Sequence, residues 1–260
     1  MGLINRYEFE VEAYQADLTG RLHLNNLVER IQILDSQNSE SLGFTNELFE
    51  EKNIVWMLIN DYMVFYKNLP RVGDKVIIKT GFGMPKGAKF YREDKIYIDS
   101  ESEHNLIARN SSTWIITDKD TRMVKRPSYI FTKDEYREMS DETIESPYNI
   151  EDIAKSSKDL GKLERILTYK ALFSDLDFNV HMHNTNYIKL AIDAYVMYKN
   201  ARPDDFHIDF QDFNIEYKRE VLMDDILELY IYESQQYVYI EGRSQEGELS
   251  FLVKFRLRNQ

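Results

Sequence analysis

Polar and apolar side chains alternate over residues 7–13, where Tyr7, Phe9, Val11 and Ala13 are interleaved with Glu8, Glu10 and Glu12. Successive side chains of an extended chain point to opposite faces, so this stretch predicts a half-buried strand. The period then changes. Leu24, Leu27, Val28, Ile31 and Leu34 recur at helical spacing, and Gly43 is a natural residue to follow a helix end. Residues 54–66 read as a long strand and Pro70 with Gly73-Asp74 as a turn. Further strands begin at Lys75 and fill 88–99 and 106–117, with turn chemistry at Asp118-Lys119-Asp120. The acid-rich segment 132–162, interrupted by Pro147, predicts a linker with some helix. Beyond it the same order returns. A strand at 165–173 leads to a helix at about 185–199 with Ile188, Ala191, Ile192, Tyr195 and Val196 on one face. Strands follow at about 210–221, 225–234, 236–243 and 248–258. The expected organisation is an N-terminal domain 1–131, a linker 132–162 and a C-terminal domain 163–260.

The return is an internal repeat. At an offset of 158, Asp17-Leu18 matches Asp175-Leu176, His23 matches His181 and Asn26 matches Asn184. At an offset of 151, Asp61 matches Asp212, Tyr66-Lys67 matches Tyr217-Lys218 and Asp74 matches Asp225. The offset changes between helix and strand, where loop insertions are tolerated. Each unit is a strand, a helix and several antiparallel strands, and a helix laid on a bent sheet buries both apolar faces.

Composition narrows the function classes. There are no cysteines, which excludes disulfides, cysteine-ligated metals and a thiol nucleophile. The first ten residues lack an apolar secretory core, and no apolar run is long enough for a membrane span, so a cytoplasmic location is expected. A net charge of -12 argues against nucleic-acid binding. Residues 67–95 run against that balance, with eight basic side chains against three acidic ones. This strip is either a solvated sheet face or a docking patch for an acidic partner, with Lys86, Lys89 and Arg92 as docking candidates and Arg122, Lys125 and Arg126 as the alternative surface.

The chemistry concentrates in the second unit. In Asp175-Leu-Asp-Phe-Asn-Val-His-Met-His-Asn184, the polar Asp177, Asn179 and His181 alternate with Phe178, Val180 and Met182. If extended, the stretch presents three polar groups on one face, beside a helix whose N-cap is Asn184 or Thr185. A carboxylate, an amide and an imidazole near free helix N–H groups suit attack of water on a carbonyl. A polar capping loop would look similar. In the repeat register, Thr19 stands opposite Asp177, Arg21 opposite Asn179 and Leu69 opposite Glu220, so the reactive set belongs to one copy. His183 finds no counterpart, and His23, His104 and His207 have no partner pattern.

Those segments, with Glu216-Tyr-Lys-Arg-Glu220, Gly73-Asp74 and Ser112-Thr-Trp114 in the same order and spacing, resemble the acyl-acyl-carrier-protein thioesterases of plants and bacteria over nearly the whole chain. The resemblance implies an α+β tandem double hot-dog, each unit a long helix packed on a bent antiparallel sheet. It also implies a catalytic network of Asp177, Asn179, His181 and Glu220. Plant members usually carry Cys after the glutamate. Here that residue is Val221, and Met182-His183 replaces the usual Val-Asn.

The expected reaction is hydrolysis of a fatty acyl thioester on acyl carrier protein, which ends fatty acid synthesis, without metal or organic cofactor. Asp177 or Glu220 is the base on water or the nucleophile, His181 orients and shuttles a proton, and Asn179 holds the thioester or Asp177. The helix at 24–34 and the strand at 54–65 are expected to line the acyl tunnel, with Leu24, Leu27, Ile31, Trp56, Met57 and Met63 as lining candidates, although such residues are usually core. Trp56 and Met57 cannot both face a tunnel on a regular strand. An acyl-CoA thioesterase and a non-enzymatic acyl-binding hot-dog protein are the alternatives. A homodimer is compatible with either.

Overall fold

The computed structural model describes residues 5–141, 152–156, 160–200 and 208–258. Much of the expected linker and His207 lie outside the described residues. The N-terminal half contains β1 (Arg6–Glu10), α1 (Leu24–Ser41), α2 (Asn46–Glu51), β2 (Ile54–Phe65), β3 (Lys75–Lys86), β4 (Lys89–Ile98), β5 (Leu106–Asp118), β6 (Val124–Lys125) and α3 (Lys133–Met139). After α4 (Ile153–Ser156) come β7 (Glu164–Lys170), α5 (Asn184–Lys199), β8 (Phe210–Tyr217), β9 (Ile226–Glu233), β10 (Val238–Ser244) and β11 (Leu249–Leu257). The short helix α2, capped by the Thr45 hydroxyl, has no strong periodic signal and was not expected from the sequence.

All strands join one antiparallel sheet in the order β1-β3-β4-β5-β2-β8-β11-β10-β9-β7, with β6 added to β5. The order reads the same from either end once each strand is exchanged for its repeat partner. β2 and β8 form the seam, where Asp61 pairs with Ile215 and Val64 with Asp212. Asp61 and Asp212 are repeat mates, as are Val64 and Ile215, so the seam obeys the 151 offset and has the self-complementary form of a two-fold interface. Asn60 Nδ2 donates to Asn214 Oδ1 across it at 2.7 Å.

The helical spacing of α1 is spent on the sheet. Leu24, Leu27, Val28, Ile31 and Leu34 are buried against β2, β3 and β5, and the equivalent face of α5 presents Ile188, Ala191, Ala194 and Tyr195 to the same core. Full burial of each of these leucine, isoleucine and valine side chains is worth roughly 1.5–3 kcal/mol.

One turn further along α1 the inward stripe becomes polar. Asp35 and Asn38 are buried over a belt of Thr80, Arg92, Asp94, Asn110 and Asp61, drawn from four strands. Thr80 Oγ1 donates to Asp35 at 2.7 Å, Arg92 donates to Asn38 Oδ1 at 2.8 Å, and Asn110 Nδ2 donates to Asp94 at 3.1 Å. Burial raises Asp35 from its ordinary value, burial and the Asp35 charge raise Asp94 well above its own, and burial raises Asp61 to about 7. Beyond the belt lies a second cluster, where Phe44, Phe82, Phe90 and Tyr136 pack with Trp56 and Trp114. The belt therefore separates the apolar core from an aromatic compartment.

Candidate active site

After β7 the chain makes one 3-10 turn and enters a tight loop that ends at α5. The Asp177 N–H donates to the His181 carbonyl at 2.8 Å, and the Val180 N–H donates to the Asp177 carbonyl at 3.0 Å. The Asp177 side chain closes the loop: Oδ1 accepts from the backbone N–H of Asn179 at 2.8 Å and of His181 at 3.4 Å. This is the ordinary use of Asp in a turn. The loop forces Val180 to φ 67°, a left-handed conformation costing a β-branched residue about 1–2 kcal/mol.

The first half builds the same loop. Asp17 Oδ1 accepts from the N–H groups of Thr19 and Arg21 at 2.8 and 3.1 Å, and Gly20 takes the left-handed position at φ 77°. Asn26 and Asn186 each donate to a carbonyl at the corresponding place, Gln15 and Asp175. The repeat offset here is thus 160, Asp17 to Asp177, and the register of 158 is corrected. A two-residue slip preserves alternation and so leaves the pattern intact. The landmark that would have fixed it, a left-handed Gly, is replaced by Val180 in the second copy. His183 does have a counterpart, His23, and both precede their helices as N-cap residues. Asp177 is matched by Asp17, so the second half is distinguished by Asn179, His181 and Glu220 in place of Thr19, Arg21 and Leu69.

Glu220 is brought to this loop by the chain leaving β8. The Arg219 N–H donates to the Ser250 carbonyl at 3.1 Å, and the Met182 N–H donates to the Val221 carbonyl at 2.8 Å. His181 Nε2 then lies 3.1 Å from Glu220 Oε2. A third group completes a triangle: Arg122 Nη2 is 3.0 Å from the same nitrogen and 3.4 Å from the same oxygen. Nε2 faces Glu220 as a donor only with its proton and accepts from Arg122 only with its lone pair, so the two contacts exclude each other at any instant. Glu220 Oε1 is buried and accepts no hydrogen bond from any described residue. Asn179 Nδ2 makes one long contact, 3.4 Å to Asp177 Oδ2.

The triangle opens into a cavity of about 690 Å³ that passes from Asp177, Asn179, His181 and Glu220 to the aromatic compartment around Phe44, Phe49, Trp56 and Phe90. Its mouth carries Phe178, which is 93% exposed. A carboxylate–imidazole pair joined to a long aromatic slot suits an acyl group bearing a reactive carbonyl. Among the described residues, no three His, Asp or Glu side chains are placed to share a metal ion, and no helix is long and apolar enough to cross a membrane.

Comparison with known proteins agrees. The acyl-ACP thioesterase N-terminal domain matches residues 2–134 and the C-terminal domain matches residues 159–259. The chain belongs to the acyl-ACP thioesterase family. No curated protein sequence matches the chain. Its fold is similar to that of an acyl-ACP thioesterase from Bacteroides thetaiotaomicron, with TM-score 0.78, 20% identity and 97% of each chain covered. It is also similar to a 12:0-ACP thioesterase from Umbellularia californica, with TM-score 0.74, 18% identity, and 100% of this chain and 99% of that one covered. The fold of this acyl-ACP thioesterase is a tandem pair of hot-dog units.

Several expectations change once this thioesterase's cavity is visible. Leu24, Leu27, Ile31 and Met63 are buried in the main core and do not line the cavity. Trp56 and Met57 both line it. They do so although β2 keeps regular register through Leu58 and shifts only between Leu58 and Asn60, so the cavity wraps round the strand there and is not confined to one face. Arg92 is corrected as a docking residue: it is 5% exposed and points into the polar belt, while Lys86 and Lys89 are exposed at the β3–β4 hairpin. Two of the helix N–H groups expected as a carbonyl clamp have acceptors within the chain. Thr185 N–H donates to His183 Nδ1 at 3.4 Å and Asn186 N–H to the His183 carbonyl at 2.9 Å, and the N-cap is His183 rather than Asn184 or Thr185. Arg122, read from sequence only as an alternative docking residue, sits at the reactive pair. The signal that places it is Asp118. Its carboxylate accepts the N–H of Thr121 at 2.9 Å, a bond that with Lys125 holds Asp118 well below the usual carboxylate range. The resulting turn sets Arg122 at φ 57°.

Proposed function

We propose that Glu220 is the general base of this acyl-ACP thioesterase, acting through Oε1 on the attacking water. The observation that carries the reading is that Oε1 is buried and unpartnered among the described residues while Oε2 is occupied by His181 and Arg122. A carboxylate oxygen shielded from bulk water and left without a donor is suited to receive a proton. Asp177 is the less suitable base, because its oxygens already close the loop.

In this mechanism Asn179 Nδ2 donates to the thioester carbonyl. Glu220 takes a proton from water, and the oxygen attacks the carbonyl carbon. The tetrahedral intermediate collapses by breaking the C–S bond, giving a carboxylic acid and a thiolate. A thiolate is a good leaving group at neutral pH, so proton return from Glu220 through His181 completes the turnover without a strong acid.

The N-terminal half, 1–131, holds the acyl chain in the aromatic compartment, and the C-terminal half, 163–260, supplies Asp177, Asn179, His181 and Glu220. The substrate is a fatty acyl group on acyl carrier protein, which docks through exposed Lys86 and Lys89 with the pantetheine entering past Phe178. The enzyme works in the cytoplasm. The test is a panel of acyl-carrier-protein and acyl-CoA thioesters of graded length, assayed with wild type and Glu220→Gln. Loss of at least ~10²-fold in kcat is expected for the variant. A preference for acyl-CoA would overturn the carrier assignment, and a fully active variant would overturn the base.

A further inference from the structure

We infer that Arg122, supplied by the N-terminal half, is a positioning residue of the active site, holding the His181–Glu220 pair so that Glu220 Oε1 stays aimed at the reacting water. The inference rests on the reading of Glu220 as base and adds to it a residue from outside the catalytic half.

Three observations carry it. The first is the triangle itself, with Arg122 Nη2 within 3.0 Å of His181 Nε2 and 3.4 Å of Glu220 Oε2. A guanidinium only donates, so it competes for Oε2 and for the imidazole lone pair and never for a proton on either. The second is its local construction. Asp118 accepts N–H groups from Thr121 and Asp120, the Arg122 N–H donates back to the Asp118 carbonyl at 3.0 Å, and Lys125 pairs with Asp118 at 3.1 Å. The turn is thus fixed by groups that take no part in the chemistry, and it holds a non-glycine residue in a left-handed conformation. Strain of this kind persists where the surroundings over-determine it and marks functional positions. The third is the assignment of the neighbouring cations. Lys218 pairs with Glu216, Arg219 with Glu248 and Asp225, and Lys119 with Glu50. Of these basic side chains around the cavity mouth, Arg122 is the one that, among the described residues, meets the His181–Glu220 pair.

The consequence is that the two hot-dog units are chemically interdependent. The repeat gave the second unit Asn179, His181 and Glu220, while the loop after β5 in the first unit gained the residue that holds two of them.

The test uses the decanoyl thioester of N-acetylcysteamine, which has no acidic carrier, so effects on docking do not enter. Arg122→Ala is expected to lower kcat by about 10²-fold, the scale of a small misplacement of a reacting group, with KM nearly unchanged. Arg122 is 42% exposed, so its removal leaves a slot open to solvent. Methylguanidinium at millimolar concentration is expected to restore activity to Arg122→Ala and to leave wild type unaffected. Arg122→Lys should keep part of the rate. A loss confined to KM, or a kcat loss that neither methylguanidinium nor lysine recovers, would overturn the inference. If Arg122→Ala does not fold, Arg122→Lys against Arg122→Gln carries the same comparison, with equal rates as the refuting result. Full activity of Glu220→Gln on the same substrate would sink the base reading separately.

Discussion

Replacing Asp61 by Asn should make the protein more stable at pH 8 than the wild type, with the difference vanishing toward pH 4. Asp61 sits in the polar belt at 5% exposure, with one carboxylate oxygen unpartnered among the described residues. Burial moves its carboxyl from 3.8 to about 7, opposed by a hydrogen bond from Asn110 and reinforced by the Asp35 charge. The native state therefore holds a proton that the unfolded chain releases near pH 4. Stability from this group is fully present below the unfolded value and is lost as pH rises to the folded one. The interval is about three pH units, and each is worth about 1.4 kcal/mol, so the loss above pH 7 is on the order of 4 kcal/mol as an upper figure. An amide has the same shape and no charge to bury at any pH. The assay is urea unfolding of both proteins at pH 5, 6, 7 and 8. Parallel stability curves would mean that Asp61 ionises as freely in the native state as in the unfolded chain, and the description of the belt as desolvated would fail.

Three further outcomes are expected. Asp17→Asn and Asp177→Asn disturb equivalent loops, so similar losses of Tm with a large loss of kcat in Asp177→Asn alone would separate loop closure from catalysis, whereas equal kcat would reduce Asp177 to a turn residue. Arg92→Glu should cost about 3–5 kcal/mol of stability, because it strips a buried network of its cation, while Lys86→Glu and Lys89→Glu should leave Tm unchanged and raise KM for acyl carrier protein; a folded Arg92→Glu with only a KM effect would restore it as a docking residue. Phe49→Trp, in the cavity wall, should shift the acyl-length profile toward shorter chains at roughly 0.8 kcal/mol per excluded methylene, while Leu27→Ala, in the core, should lose about 2–5 kcal/mol of stability with the profile unchanged.

The sequence by itself determined the elements and their duplication. Helical spacing in 24–34 and alternation in the strands follow from where an isolated segment must put its apolar side chains, and this needs no partner. The candidate site residues Asp177, Asn179, His181 and Glu220 were legible because their order and spacing match a family, and the structure gathers all four and Arg122 around one cavity. What the sequence left undetermined was which face meets what. Arg92 and Lys89 look alike as basic residues on one strand, yet odd spacing places them on opposite faces, and only the packing of α1 makes the face of Arg92 an interior. Leu24 and Trp56 are both apolar, but Leu24 packs in the main core while Trp56 lies in the aromatic compartment beyond the polar belt, where the large cavity opens. The repeat register slipped by two residues because a left-handed Val180 replaced the glycine that marks the turn in the first copy. Arg122 was invisible as a site residue for the plainest reason. It lies 59 positions from His181, in the other unit, and no local pattern records a contact made only when the two sheets join edge to edge.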